Sequence, residues 1–288
     1  MVRLTTIPCT GVMTPKPILI LGGTGKTGGR VASRLTAKSV PVRIGSRSAE
    51  VPFTWEDETT WAPVLRGVKA AYIAYYPDIG APGASTTIAS FAQLAVSMGV
   101  SRLVLLSGRG EEEAERSELE LRKSGAEWTI LRCSWFNQNF SESFMLGPVL
   151  GGEVMLPASD IPEPFVDVED VADVAVAALT EPGHVGKLYE LTGPTALTFA
   201  EAIGEIAAAS GRDIRYQQIS VQDFAAGLAT EIDEQDYVEF LTYLFAEVLD
   251  GRNANPADGV FQALGRQPRS FRDYAKTAAA TGVWTVNA

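Results

Sequence analysis

Gly22, Gly25 and Gly28 recur at a three-residue spacing directly after the apolar run Ile18 to Leu21, with Thr24, Lys26 and Thr27 set among them. Glycines so placed between a buried strand and a helix suit phosphate chemistry. The first permits a tight turn, the second lets backbone approach a pyrophosphate, and the third lets the helix pack close to the strand. The helix N-terminus then offers free N–H groups and the positive end of its dipole to the anion. Gly25-Lys26-Thr27 also ends like a nucleoside-triphosphate loop, but that loop would need glycine at position 20, where the chain has Ile20. The spacing therefore points to a dinucleotide.

The stretch "VPVRIGSRS", residues 40–48, follows the first helix and reads as the second parallel strand. A site selective for a free ribose 2′-hydroxyl ends this strand in Asp or Glu. Here it ends in Ser46-Arg47-Ser48, a guanidinium between two hydroxyls that suits a 2′-phosphate. NADP(H) is the expected cofactor.

The common ketone-reducing dyad is missing. In Tyr-x-x-x-Lys the phenol gives a proton to the carbonyl oxygen and the Lys lowers its pKa. None of the 8 tyrosines has Lys four residues later. Ser107 is the catalytic candidate, as a hydrogen-bond donor beside the nicotinamide. In "CSWFNQNFSESFM", Trp135 and Phe136 could wall a substrate pocket and Asn139 could orient a ligand; the same residues would serve equally as ordinary helix core.

These residues need a scaffold. "AAYIAYY" (70–76), "RLVLLSG" (102–108), "EWTILR" (127–132) and "KLYELTGP" read as further strands, alternating with helical patterns such as Ile88, Phe91 and Ala95. That alternation implies an α/β Rossmann fold, a doubly wound parallel sheet with right-handed crossovers, and ligands bind such sheets at the carboxyl ends of the strands. The rule places Tyr75, Tyr76 and Pro77 on the cofactor rim beside the glycine loop, Arg47 and Ser107. The charge run "EEEAERSELELRKSG" reads as a solvated helix face, and "FVDVEDVADVAVAAL" as a strand end entering a helix capped by Asp167 or Asp170. Helical patterns at 198–210 and 235–250 suggest a smaller C-terminal α/β lobe. The expected division is an extension over 1–15, a dinucleotide-binding domain over 16–152 and 164–195, and the lobe over 153–163 and 196–288.

Composition narrows the partners. The 288 residues are 46% hydrophobic with a net charge of −11, an acidic balance that argues against nucleic acid and suits a cationic substrate, while the aromatic and amide cluster at 135–140 favours a small-molecule substrate. No apolar run is long enough to span a membrane. Cys9 and Cys133 with the one histidine make no metal site. A cytoplasmic protein is expected, with a homodimer as a further option.

The pieces "GGTGKTG", "GSRS", "RLVLLSG", "SELELRKSGAEWTILRCSWFNQNF" and "PFVDVEDVAD" together resemble the NmrA-like branch of the atypical short-chain dehydrogenase/reductase family, from about residue 17 to 210. Within it, "TWEDETTW" and "SWFNQNFSESF" are similar to the ergot-alkaloid reductases of the festuclavine-synthase type. The resemblance implies NADP(H) with Thr24 to Gly28 on the pyrophosphate, Arg47 on the 2′-phosphate and Trp55 near the adenine. Where many relatives carry Asp, this chain has Thr54. Two functions follow. One is a reductase acting on an acceptor that is already electrophilic, an imine or iminium or a conjugated carbonyl or quinone. The other is a non-catalytic NADP(H)-binding redox sensor working through a protein partner.

Overall fold

The computed structural model describes residues 15–286; most of the expected N-terminal extension, with Cys9, lies outside them. Strands β1 (Ile18–Leu21), β2 (Val42–Gly45), β3 (Ala70–Ile73), β4 (Arg102–Gly108), β5 (Glu127–Cys133) and, later, β7 (Lys187–Leu191) form one six-stranded sheet in the order β2-β1-β3-β4-β5-β7. Every pairing in it is parallel. β1 and β3 are buried on both faces, which is why they read as continuous apolar runs.

The alternation of the strands separates two cores. Leu19, Leu21, Ala71, Ile73, Leu103 and Leu105 face one side, under α2 (Trp61–Leu65), α3 (Ala84–Ser97) and α4 (Glu112–Lys123). Ile18, Ile20, Ala70, Tyr72 and Val104 face the other, under α1 (Lys26–Ala37) and, further along, α7 (Val168–Thr180). Val31 and Leu35 lie one helical turn apart and bring α1 onto the sheet at zero exposure.

A third core gathers the remaining elements: α5 (Asn139–Glu142), α6 (Leu146–Gly151), β6 (Glu153–Leu156), α8 (Phe199–Ser210), β8 (Arg215–Gln218), α9 (Val221–Glu231), α10 (Gln235–Tyr243) and, after α11 (Gly259–Leu264), α12 (Phe271–Ala280). β6 and β8 pair in parallel as a separate two-stranded sheet. Phe140, Phe165, Phe199 and Phe271 meet there at centroid distances of 5.0 to 6.1 Å, each such pair contributing about 0.5–1.5 kcal/mol beyond its buried area. The single helix expected over 235–250 is two pieces, because α10 ends at Tyr243 and a π-helical turn follows over Leu244–Val248.

Asp167 is the residue that caps α7, accepting from the Glu169 backbone N–H at 2.9 Å. Asp170 is fully buried and pairs with Arg266 and Arg269, which also meet Asp173. Arg34 on α1 joins the same belt through Asp173 at 2.8 Å and through Glu169. His184 is buried with its Nδ1 2.9 Å from the Tyr189 hydroxyl.

Candidate active site

The glycine turn is built as its spacing requires. Gly22 has φ +67°, in the left-handed region where a side chain is strained. A Cβ on Gly28 would collide with the Gly22 carbonyl oxygen, so only glycine lets α1 sit this close. The Gly25 N–H closes the turn onto Gly22 O at 2.9 Å. Leu21 pairs with Gly45 in register, so the end of β2 and its following Ser46 and Arg47 run beside the glycine turn. Arg47 is exposed there, and Ser46 O anchors the loop by accepting from Phe53 N at 3.0 Å.

A cleft of about 350 Å³ opens over the carboxyl ends of β1, β3, β4 and β5. Gly22, Gly25, Lys26 and Thr27 form one wall; Tyr75, Tyr76, Pro77, Ser107, Trp135, Phe136 and Asn139 form others. The structure thus brings together most of the residues that the sequence nominated. Lys26 reaches across it, donating from Nζ to Asn139 Oδ1 at 3.1 Å. Burial holds the Lys26 ammonium below its ordinary pKa, against the pull of Glu142 and Asp78. These groups suit a dinucleotide: a close-approach glycine cradle, a half-buried cation, and a helix N-terminus aimed at the cleft.

Four nominated residues sit differently from expectation. Ser107 Oγ already donates to Glu118 Oε1 at 2.7 Å. Its proton is committed to a carboxylate that also holds Arg132, at 2.9 Å from Nε and 2.5 Å from Nη2, so Ser107 faces the cleft with lone pairs. Trp55 is off the wall. Its indole is enclosed by Phe53, Trp61 and Phe91 at 4.9 to 6.1 Å, with Tyr75 at 5.0 Å between it and the cleft. Thr24 and Gly28 also lie off the wall, Thr24 exposed and Gly28 buried in the turn.

Two carboxyls were missed. Asp78, directly after the nominated Tyr75 to Pro77, has its pKa raised to about 6 by burial. Glu111 lines the cleft too, and burial together with the neighbouring Asp78 pushes it well above the ordinary carboxyl range. The charge run starting at Glu111 was expected on a solvated face; Glu111 and Glu118 instead turn inward, and Glu118 is 1% exposed. The unusual density of glutamates where a helix leaves a strand end was the available signal.

Beyond Tyr76, Pro77, Phe144 and Tyr237, the cleft meets a larger open groove of about 1110 Å³. Glu153, Asp223, Asp233, Glu234 and Asp236 are among its lining residues. Among the described residues, no cluster of His, Cys, Asp or Glu is arranged to hold a metal ion, and no helix is long and apolar enough to cross a membrane.

A parallel sheet with a glycine cradle at its carboxyl edge defines a dinucleotide-binding protein of the Rossmann class. Residues 22–182 match the NAD(P)H-binding family model and residues 116–274 the NmrA-like family model; the chain belongs to the NmrA-like family and carries an NAD(P)H-binding domain. It is 32% identical over 287 residues to an uncharacterized oxidoreductase of Bacillus subtilis, covering 95% of this chain and 100% of that one. It is 28% identical to festuclavine synthase I of Penicillium roqueforti, covering 90% and 97%. Its fold matches the NADPH-dependent quinone oxidoreductase of Escherichia coli in complex with NADPH, with TM-score 0.76, 22% identity and coverage of 90% and 99%.

Proposed function

We propose that the protein is an NADPH-dependent reductase of a small electrophile, an imine or iminium or a conjugated carbonyl or quinone. The observation that carries this reading is the single cleft in which the glycine cradle, the Lys26–Asn139 pair and the Trp135–Phe136 wall meet. The relatives include an oxidoreductase and a festuclavine synthase, and the fold is shared with a quinone oxidoreductase.

When bound, the reduced nicotinamide would supply a hydride to an electrophilic carbon. Gly22, Gly25 and the N-terminus of α1 would hold its pyrophosphate, with Thr24 and Thr27 beside them. Lys26 would add a positive charge, and Ser46 and Arg47 would receive the 2′-phosphate. Trp135 and Phe136 would present a flat apolar wall, and Asn139 would fix both Lys26 and the acceptor. Holding two reactants in one oriented cleft is worth up to about 7–11 kcal/mol of barrier. The acidic groove outside favours a cationic acceptor by its field.

The test is oxidation of NADPH against cyclic iminiums, enones, quinones and aldehydes, beside calorimetric titration with NADPH and NADH. Turnover on iminium or conjugated acceptors, with NADPH bound more tightly than NADH, is the expected result. Tight NADPH binding with no turnover on any acceptor would give the function to a redox sensor.

A further inference from the structure

Glu111 occupies an unusual position for a surface-type residue. It is the N-cap residue of α4, yet its side chain makes no capping hydrogen bond to that helix. A carboxylate at a helix N-terminus gains by turning back to the free N–H groups. Here it points the other way, into the cleft. Two glycines make room for it: a Cβ on Gly80 would collide with Glu111 Oε2, and one on Gly108 with Oε1. Oε2 is buried and has no hydrogen-bond partner, an arrangement that costs free energy unless a ligand or a proton accounts for it.

Burial and the groups around it disfavour the charged carboxylate. Asp78, on the loop after β3, faces it and disfavours a second negative charge. Lys26 acts on Asp78. From β5 the neighbour is the Cys133 thiol, which burial keeps protonated. From α10 it is the Tyr243 phenol, raised above its ordinary value by burial and by Glu111. The adjacent cations are engaged elsewhere: Arg109 with Glu190 at 3.3 Å and with the Asn253 and Asn255 carbonyls, and Arg252 with Asp250 at 2.7 Å. On its own helix, Glu112 and Glu113 pair with Arg116, and Glu115 lies 3.8 Å from Arg132.

We propose that Glu111 is the proton donor to the heteroatom of a neutral acceptor in this cleft, filling the place left by the missing tyrosine–lysine dyad. The proposal rests on the reductase reading above. As the acceptor carbon takes hydride from the reduced nicotinamide, the π electron pair of its C=O or C=N bond (or of the conjugated system) moves to the heteroatom. That pair takes the Glu111 proton, the carboxyl O–H bond breaks, and an O–H or N–H bond forms. The products are the reduced acceptor, the oxidised nicotinamide and a Glu111 carboxylate, which regains its proton from water. An iminium carries its positive charge already and needs no such proton.

The experiment compares wild type, Glu111→Gln, Asp78→Asn and Tyr237→Phe on a neutral quinone and on an N-alkyl iminium, with NADPH binding measured by calorimetry as the folding control. In Glu111→Gln the ratio of quinone to iminium turnover falls roughly a hundredfold or more. Wild-type quinone turnover declines above the titration of the carboxyl, and Asp78→Asn moves that limb to lower pH by removing a like charge. A readout independent of turnover is the carboxyl carbon resonance of ¹³C-glutamate-labelled protein without nucleotide. One resonance, absent in Glu111→Gln, titrates above the ordinary glutamate value of about 4.3. A turnover ratio unchanged in Glu111→Gln, or lost instead in Tyr237→Phe, overturns the proposal, as does a Glu111 resonance that titrates normally. Wild-type protein inert toward every acceptor removes the reductase reading and this proposal with it; active wild type with an indifferent Glu111→Gln removes the proposal alone.

Discussion

Lys26 Nζ and Asn139 Oδ1 meet at 3.1 Å although 113 residues separate them in the chain. The phosphate loop and the aromatic–amide segment are therefore one device. A hydrogen bond to a charged group contributes about 1.5–3 kcal/mol. Asn139→Ala is accordingly expected to weaken NADPH binding roughly tenfold as well as slow turnover. Trp135→Leu, which leaves that bond alone, is expected to slow turnover with NADPH affinity nearly unchanged. Calorimetry beside steady-state kinetics separates the two.

Gly28→Ala is expected to be costly. The new methyl meets the Gly22 carbonyl, backbone that cannot yield without opening the turn. Overpacking of this kind costs about 1–3 kcal/mol. A lowered melting temperature with loss of NADPH binding is expected; a variant that binds normally would show that the turn rearranges freely.

Arg47→Asp tests the 2′-phosphate assignment. Arg47 is exposed beside the glycine turn, so the exchange should leave the fold intact. Replacing attraction by repulsion is expected to move the NADPH-to-NADH preference by roughly a hundredfold toward NADH. Paired titrations with both nucleotides read this directly.

Glu118 is a stability prediction. It is 1% exposed and holds both Arg132 and the Ser107 hydroxyl. Removing one partner of a buried pair costs about 3–5 kcal/mol, and Glu118→Ala is expected at the low end because Arg132 keeps a contact to Glu190 at 3.3 Å. Urea unfolding provides the measurement.

Glu163 gives a pH signature. It is 2% exposed, and burial raises its pKa from 4.5 to about 7. Between those values the folded protein keeps a proton that the unfolded chain has lost. Its contribution to stability therefore falls as pH rises from about 4.5 to about 7 and is constant above. The change is on the order of 3 kcal/mol. Glu163→Gln is expected to flatten this part of the stability profile, followed by thermal unfolding at several pH values.

The sheet was legible because its strands carry local signals. Ile18 to Leu21 and Ala70 to Ile73 are short apolar runs ended by glycine or proline turns, and the glycine triplet marks the strand–helix junction by itself. β6 and β8 were not legible. Glu153 to Leu156 is only four residues long and carries an apolar residue, Met155, on its exposed side, and Arg215 to Gln218 is largely exposed, so their pairing depends on contacts between distant segments. The site divides the same way. Gly22 to Thr27 follow from spacing. Glu111 does not, since a glutamate that opens a charged helix looks like every other until Gly80 and Gly108 reveal a space shaped for its carboxyl. The direction of the Ser107 hydroxyl is likewise set by Glu118, eleven residues onward and one helix away.

The ion-pair belt under α7 bears on how the protein is made. A chain leaves the ribosome from its N-terminus, so the glycine loop, α1 and α7 emerge well before Arg266 and Arg269. Until those two arrive, Asp170 is a carboxylate destined for the interior with no cation to meet it, and Asp173 has Arg34 alone. A chain ending before residue 266 would hold every residue of the phosphate cradle, and α7 would dock by its apolar stripe and by Arg30 and Arg34 while the buried Asp170 lacked both of its cations. The ion pairs that neutralise Asp170 thus join residues about a hundred positions apart, so this contact forms only after the segment carrying Arg266 and Arg269 has been made.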